Sequence, residues 1–162
     1  MKIRRYPTIS VLDAEQFAHK YFETQECDAE ILETWNREFE YVLERFAQDI
    51  GKNCTRSEPE LWTYTADNPQ EWPALEGDYY YMTFLNDPIS QYERLVTSSA
   101  PRVEKDKLWV GCDIWETQKL RSLPQPGVTM IWPATEEFAH KTLPWHDISE
   151  KYVLKGIIHC EL

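Results

Sequence analysis

The sequence predicts an α+β fold: N-terminal helices, at about 13–23 and 28–50, packed on a mostly antiparallel sheet formed by the C-terminal half. Two observations carry this. One apolar stripe at helical spacing runs through residues 28–51, and period-two alternation takes over after residue 78. Helices thus precede strands in the chain. At 162 residues the length suits one ordinary domain, 1–162, and no internal boundary invites a division. Hydrophobic residues are 42% of the chain, slightly low, but aromatics reach 14% and supply large area for a core.

YPTISV is a β-like stretch, and VLDAEQFAHKYF after it opens the first helix. Asp13 is the expected N-cap, Gln16 holds the capping-box position, and Leu12 is placed to staple onto Phe17. In the second helix Ile31, Leu32, Trp35, Phe39, Val42, Leu43, Phe46 and Ile50 make one face. Asp28 caps its start and Gly51 ends it. The opposite face displays Glu30, Glu33, Arg37, Glu38, Glu40, Glu44 and Asp49.

Residues 52–77 are rich in proline, acid and turn formers, with a short helix or strand expected around LWTYT. DYYYMTFLND reads as a strand. RLVTSSAPRV and KLWVGCDIW flank a turn at EKDK; in the second strand Leu108, Val110, Cys112 and Ile114 share one side, Trp109, Asp113 and Trp115 the other. GVTMIWP is a further strand. In KYVLKGIIHCEL, Tyr152, Leu154, Ile158, Cys160 and Leu162 alternate with Lys155, His159 and Glu161.

Four cysteines form no CxxC pair, which gives no zinc ribbon or thioredoxin-like site. The N-terminus MKIRRYPTIS has basic residues with no apolar segment behind them, unlike a secretory signal, and no apolar run is long enough for a membrane span. The expectation is a reduced, cytoplasmic protein with cysteines as small core residues.

The net charge of −11 is unevenly spread. Residues 1–12 carry +3, residues 13–50 carry −8, residues 51–92 carry −5 and residues 93–162 carry −1. Such a field repels phosphate backbones and anionic membranes and steers basic proteins inward.

Phe-Ala-His-Lys occurs twice, at 17–20 and 138–141. At an offset of 121 residues, Thr8 also falls on Thr129, and each copy follows a β-like stretch. Beyond that the likeness fades, where a duplication would continue. The pattern is a generic first turn of a helix, so both histidines are expected on helices.

Catalytic signatures are sparse. His140-Lys141-Thr142 matches half of the two-histidine phosphoesterase signature, and the second half is absent. His140, His146 and Asp147 lie close in sequence without metal-ligand spacing, and there is no HExxH or calcium loop. Cys112 with these residues would make a nucleophilic set on paper, but it sits on the apolar side of its strand. Five scattered glycines leave no phosphate loop, and no cofactor is expected.

What stands out is acid beside aromatic residues that alternation places outward: Trp109, Trp115, Tyr80 and Tyr41, with Trp62, Trp72 and Trp145 in loops. Trp and Tyr anchor interfaces, and surrounding acid suits a basic protein. The expected partner surface is Glu30, Glu33, Glu38, Glu40, Glu44, Glu58, Glu60, Asp113, Trp109 and Trp115. In composition and size the chain is similar to the acidic inhibitors and immunity proteins that neutralise nuclease toxins, or to phage proteins that disarm nucleic-acid-binding enzymes. That likeness implies capture of a basic protein, with no direct contact to nucleic acid or membrane. The alternatives are a small enzyme using His140, His146 and Asp147, or a subunit or adaptor of a stable complex.

Overall fold

The structure is a computed structural model that describes residues 3–64, 71–72, 78–86, 108–109, 114–117, 120–122, 125–134, 140–141 and 150–161. It opens with strand β1 (Arg4–Pro7) and then α1 (Val11–Thr24). The N-cap of α1 is Ser10, whose extended backbone (φ −67, ψ 155) lets its hydroxyl accept the Asp13 N–H at 3.1 Å. Asp13, expected at the cap, instead lies in the first turn, where its charge still favours the helix N-terminus. Leu12 is 78% exposed while Phe17 is fully buried, so the expected staple is not made.

Helix α2 (Ala29–Ile50) begins at Asp28, which accepts the Ile31 N–H at 3.2 Å, and ends at Gly51, in the left-handed region at φ 70. The stripe read from the sequence is its buried face: Ile31, Trp35, Phe39, Val42, Leu43 and Phe46.

The helices are followed by β2 (Asn53–Arg56), β3 (Glu60–Tyr64), β4 (Glu71–Trp72), β5 (Tyr79–Phe84), β6 (Leu108–Trp109), β7 (Ile114–Thr117), β8 (Leu120–Ser122), β9 (Val128–Pro133), β10 (His140–Lys141) and β11 (Lys151–Glu161). The main sheet is antiparallel and curled, in the order β1-β9-β5-β11-β2. Strand β3 adds to the first half of β11, beyond the segment that β2 pairs. The expected α+β fold is therefore observed, and the segment expected as helix or strand around LWTYT contains strand β3, Glu60–Tyr64. Within KLWVGCDIW, Leu108 and Trp109 lie on β6, which pairs with β10, and Ile114 and Trp115 lie on β7, which pairs with β8; residues 107 and 110–113 lie outside the described residues. RLVTSSAPRV lies outside the described residues.

Opposed residues of an antiparallel pair share a face, and both faces of this sheet are buried at its centre. Tyr79, Tyr81, Ile131, Tyr152, Leu154 and Ile158 pack on the helices, where Phe39 and Tyr81 rings approach to 4.6 Å. The face turned from α1 and α2 carries Tyr80, Met82, Phe84, Met130, Trp132 and Val153, also buried. Tyr80, expected outside, is therefore core: alternation separates two faces but does not say that one is wet.

Gly127 fastens this sheet to the start of α1. Its carbonyl accepts the N–H groups of Thr8 and Ile9 at 2.9 and 3.1 Å, and its own N–H donates to Phe84 O at 2.7 Å. It sits at φ 86, and a Cβ there would come 2.2 Å from Ile9 O, so glycine is required.

Two sequence expectations are corrected here. Cys54 and Cys160 are not separate core thiols: they face each other in the β2–β11 register and are joined as a disulfide, Cα–Cα 4.1 Å, across 106 residues. Cys27 is an exposed thiol, not a core one. His140 is on strand β10, although its twin His19 is on α1; the repeated tetrapeptide marks no repeated element, because neighbours, not four residues, decide between helix and strand.

Candidate functional site

The site is built on β11, the longest strand of the sheet. Lys151, Val153 and Lys155 alternate onto the face turned from the helices, where Val153 pairs with Phe84 and Lys155 with Met82. Both lysines are buried among apolar residues. The Lys151 Nζ lies over the Phe84 ring, 4.8 Å from its centroid, and the Lys155 nitrogen lies 3.0 Å from the centre of the Trp62 ring.

Burial pushes the Lys155 amine down to about 6, although the opposed Glu60 carboxylate favours its charge. At neutral pH it is thus held mostly as the free amine. A methionine-, tryptophan- and phenylalanine-lined face with two lysines is a poor solvent for their charge. The alternation pattern reads Lys155 as polar and outward, and does not reveal that this face is covered at its centre.

The partner surface expected from the sequence lies partly on described residues. Glu30, Glu33, Glu40 and Glu44 lie on one exposed stripe of α2 at three- and four-residue spacing, broken by Arg37. Glu38 is beside it, half-exposed, 3.8 Å from Arg37. Tyr41, 64% exposed, flanks the stripe as expected.

Glu40 is already committed. It accepts from Arg56 Nε and Nη2 at 3.0 and 2.8 Å, and the same guanidinium reaches Asn36 and covers the Trp35 and Phe39 rings. Glu58 and Glu60 are exposed around β3, and Glu60 accepts the Trp62 indole N–H at 2.9 Å. The backbones of Trp109 and Trp115 lie on β6 and β7. Asp113, Cys112, His146 and Asp147 lie outside the described residues, as do the side chains of Trp109, Trp115 and His140.

His140 is nevertheless placed by its backbone. Strand β10 pairs antiparallel with β4, His140 opposite Trp72, and parallel with β6, His140 opposite Leu108. Among the described residues no three His, Cys, Asp or Glu side chains are grouped to hold a metal ion. Among the same residues, no helix is long and apolar enough to cross a membrane.

No protein family matches the chain, and no curated protein does. Its fold is similar to that of a solved structure, a truncated form of the viral collagen prolyl hydroxylase vCPH from Paramecium Bursaria Chlorella virus-1. The two superpose with a TM-score of 0.63 at 12% identity, over 100% of this chain and 90% of that one. The shared property is the fold.

Proposed function

We propose that this chain binds a small organic acid on the sheet face that carries Lys151 and Lys155, and that it is an enzyme acting at that face. The carrying observation is the pair of lysines: two buried amines on one face of one strand, set among Met82, Phe84, Trp62 and Val153. A carboxylate is a ligand that offsets the cost of burying Lys155, because it favours the charged form of that amine. The likeness in fold to a prolyl hydroxylase supports an enzyme rather than a purely structural protein. His140, with His146 and Asp147 close by in sequence, supplies the candidate polar groups for chemistry.

Thermal shift with a panel of small mono- and dicarboxylates tests the reading. At least one acid is expected to raise Tm in the natural protein and not in Lys155→Met or Lys151→Met proteins of native circular dichroism. A panel that leaves Tm unmoved, or moves it equally in the variants, overturns the reading.

A second reading keeps the expectation of basic-protein capture, favoured by the exposed α2 stripe of Glu30, Glu33 and Glu44 beside Tyr41. In this reading the carboxylates steer a cationic partner and the ring anchors it. Charge reversal at Glu30, Glu33 and Glu44 should abolish salt-sensitive capture of a basic protein; unchanged capture would dismiss the stripe. For either reading the Cys54–Cys160 bridge supports a compartment that tolerates disulfides, in place of the reduced cytoplasm expected from the sequence.

A further inference from the structure

We propose that a cleft between α1 and the start of β11 is a pocket for an alkylammonium group, the side chain of a lysine on a basic polypeptide. The cavity measures about 350 Å3, the size that encloses one long side chain or a small ligand. Its apolar lining is Ala18 and Tyr152, both buried, and the Phe22 ring, 59% exposed.

Its charged lining is anionic, from Glu15 on α1 and Glu150 just before β11. Glu150 is fixed in place: its backbone carbonyl accepts Asn86 Nδ2 at 2.8 Å, and its Oε2 accepts the Tyr152 hydroxyl at 2.5 Å. Asn86 is itself held, its Oδ1 accepting the Tyr152 N–H at 2.8 Å. Burial first, then the Glu150 carboxylate, push the Tyr152 hydroxyl well above the usual tyrosine range, so it stays a donor. His19 also lines the cleft, its Nε2 3.1 Å from Glu23 Oε1 on the solvent side of the helix.

Among the described residues the lining holds no Lys or Arg. An anionic ligand would meet Glu15 and Glu150 with no lysine or arginine to offset them, and an apolar one would strip water from both carboxylates for no return. A methylene stem ending in a cation satisfies both parts: the stem lies on Phe22 and Tyr152 while the ammonium faces the acids. This pocket rests on the second reading for the nature of its partner, but it shares no residue with the α2 stripe, so the two fail separately.

The test is a titration of the 15N-labelled full chain with a capped Gly-Gly-Lys-Gly-Gly peptide, its norleucine counterpart, and n-butylamine, followed by amide shifts. The lysine peptide should give saturable shifts at Ala18, His19 and Phe22, with the norleucine peptide silent. In a Glu15→Gln, Glu150→Gln protein of native spectrum the apparent affinity should fall by about tenfold or more, a loss near 1.4 kcal/mol. A protein with Glu30, Glu33 and Glu44 reversed should keep the titration, even where it loses capture of basic proteins. Silence at the three amides, equal response to norleucine, or response to n-butylamine alone would overturn the proposal.

Discussion

The hydroxyl oxygens of Thr8 and Thr129 meet at 2.6 Å inside the protein, joining residues 121 apart in the chain. They belong to a directed relay. Trp35 Nε1–H donates to Thr83 Oγ1 at 2.9 Å, Thr83 and Thr129 oxygens lie 2.5 Å apart, and Thr8 donates to Tyr6 O at 3.1 Å. Because Thr8 spends its proton on Tyr6 O, Thr129 must donate to Thr8 and Thr83 to Thr129. One polarity fits all four bonds, and it ties α2, β5, β9 and the β1–α1 link together.

Thr129→Val keeps the shape but leaves the Thr83 hydroxyl without its acceptor in a dry setting. Chemical denaturation should show a loss of about 1–3 kcal/mol. With Thr8→Val the two losses should fall short of additive, as expected of residues in one network. Strict additivity would mean that the relay is not one unit.

Gly127 and Gly51 separate two penalties. Both have positive φ, but a side chain at Gly51 meets nothing within 4 Å, whereas at Gly127 it strikes Ile9 O. Gly51→Ala is expected to cost about 1 kcal/mol from backbone conformation alone. Gly127→Ala should cost clearly more, and a smaller loss at Gly127 would contradict the close approach of the Ile9 carbonyl.

The disulfide gives a direct chemical expectation. Cys54 and Cys160 should resist alkylation in denaturant without reductant, while Cys27 is labelled. Replacing both by serine should lower stability by roughly 2–5 kcal/mol, since the bridge closes a long loop. Full labelling of both cysteines in the absence of reductant would refute the pairing.

Lys155 makes stability depend on pH with a definite sign. Its amine is pushed from the ordinary 10.5 to about 6 in the folded protein, so between these values the unfolded chain binds more protons. Stability should therefore rise with pH across that window relative to Lys155→Met. Parallel Tm profiles from pH 6 to 9 for the two proteins would show that the amine titrates normally.

Parts of this were legible in the sequence because a single local pattern decided them. The α2 stripe and the strand at 151–161 follow from periodicity alone. Ser10 was missed as a cap because Asp13 is equally suited by type, and only the extended backbone at Ser10 tells them apart. The offset of 121 that aligns the two FAHK segments did bring Thr8 onto Thr129, but through β1 and β9 lying side by side, not through a repeat. The buried lysines carried no signal at all: in an alternating strand, a lysine facing water and one facing a second covered face look identical. Cys54 and Cys160 were equally silent, since their pairing depends on the β2–β11 register and not on spacing.

In the proposed function a carboxylate is received on the sheet face of Lys151 and Lys155. Calorimetric titration of the acid that most raises Tm, at pH 7.5 in two buffers of different ionisation enthalpy, tests it most directly. Net proton uptake is expected on binding, because the entering anion returns Lys155 to its charged form, and affinity should fall as pH rises above about 6. Binding with no proton uptake, or unchanged in Lys155→Met, would contradict it.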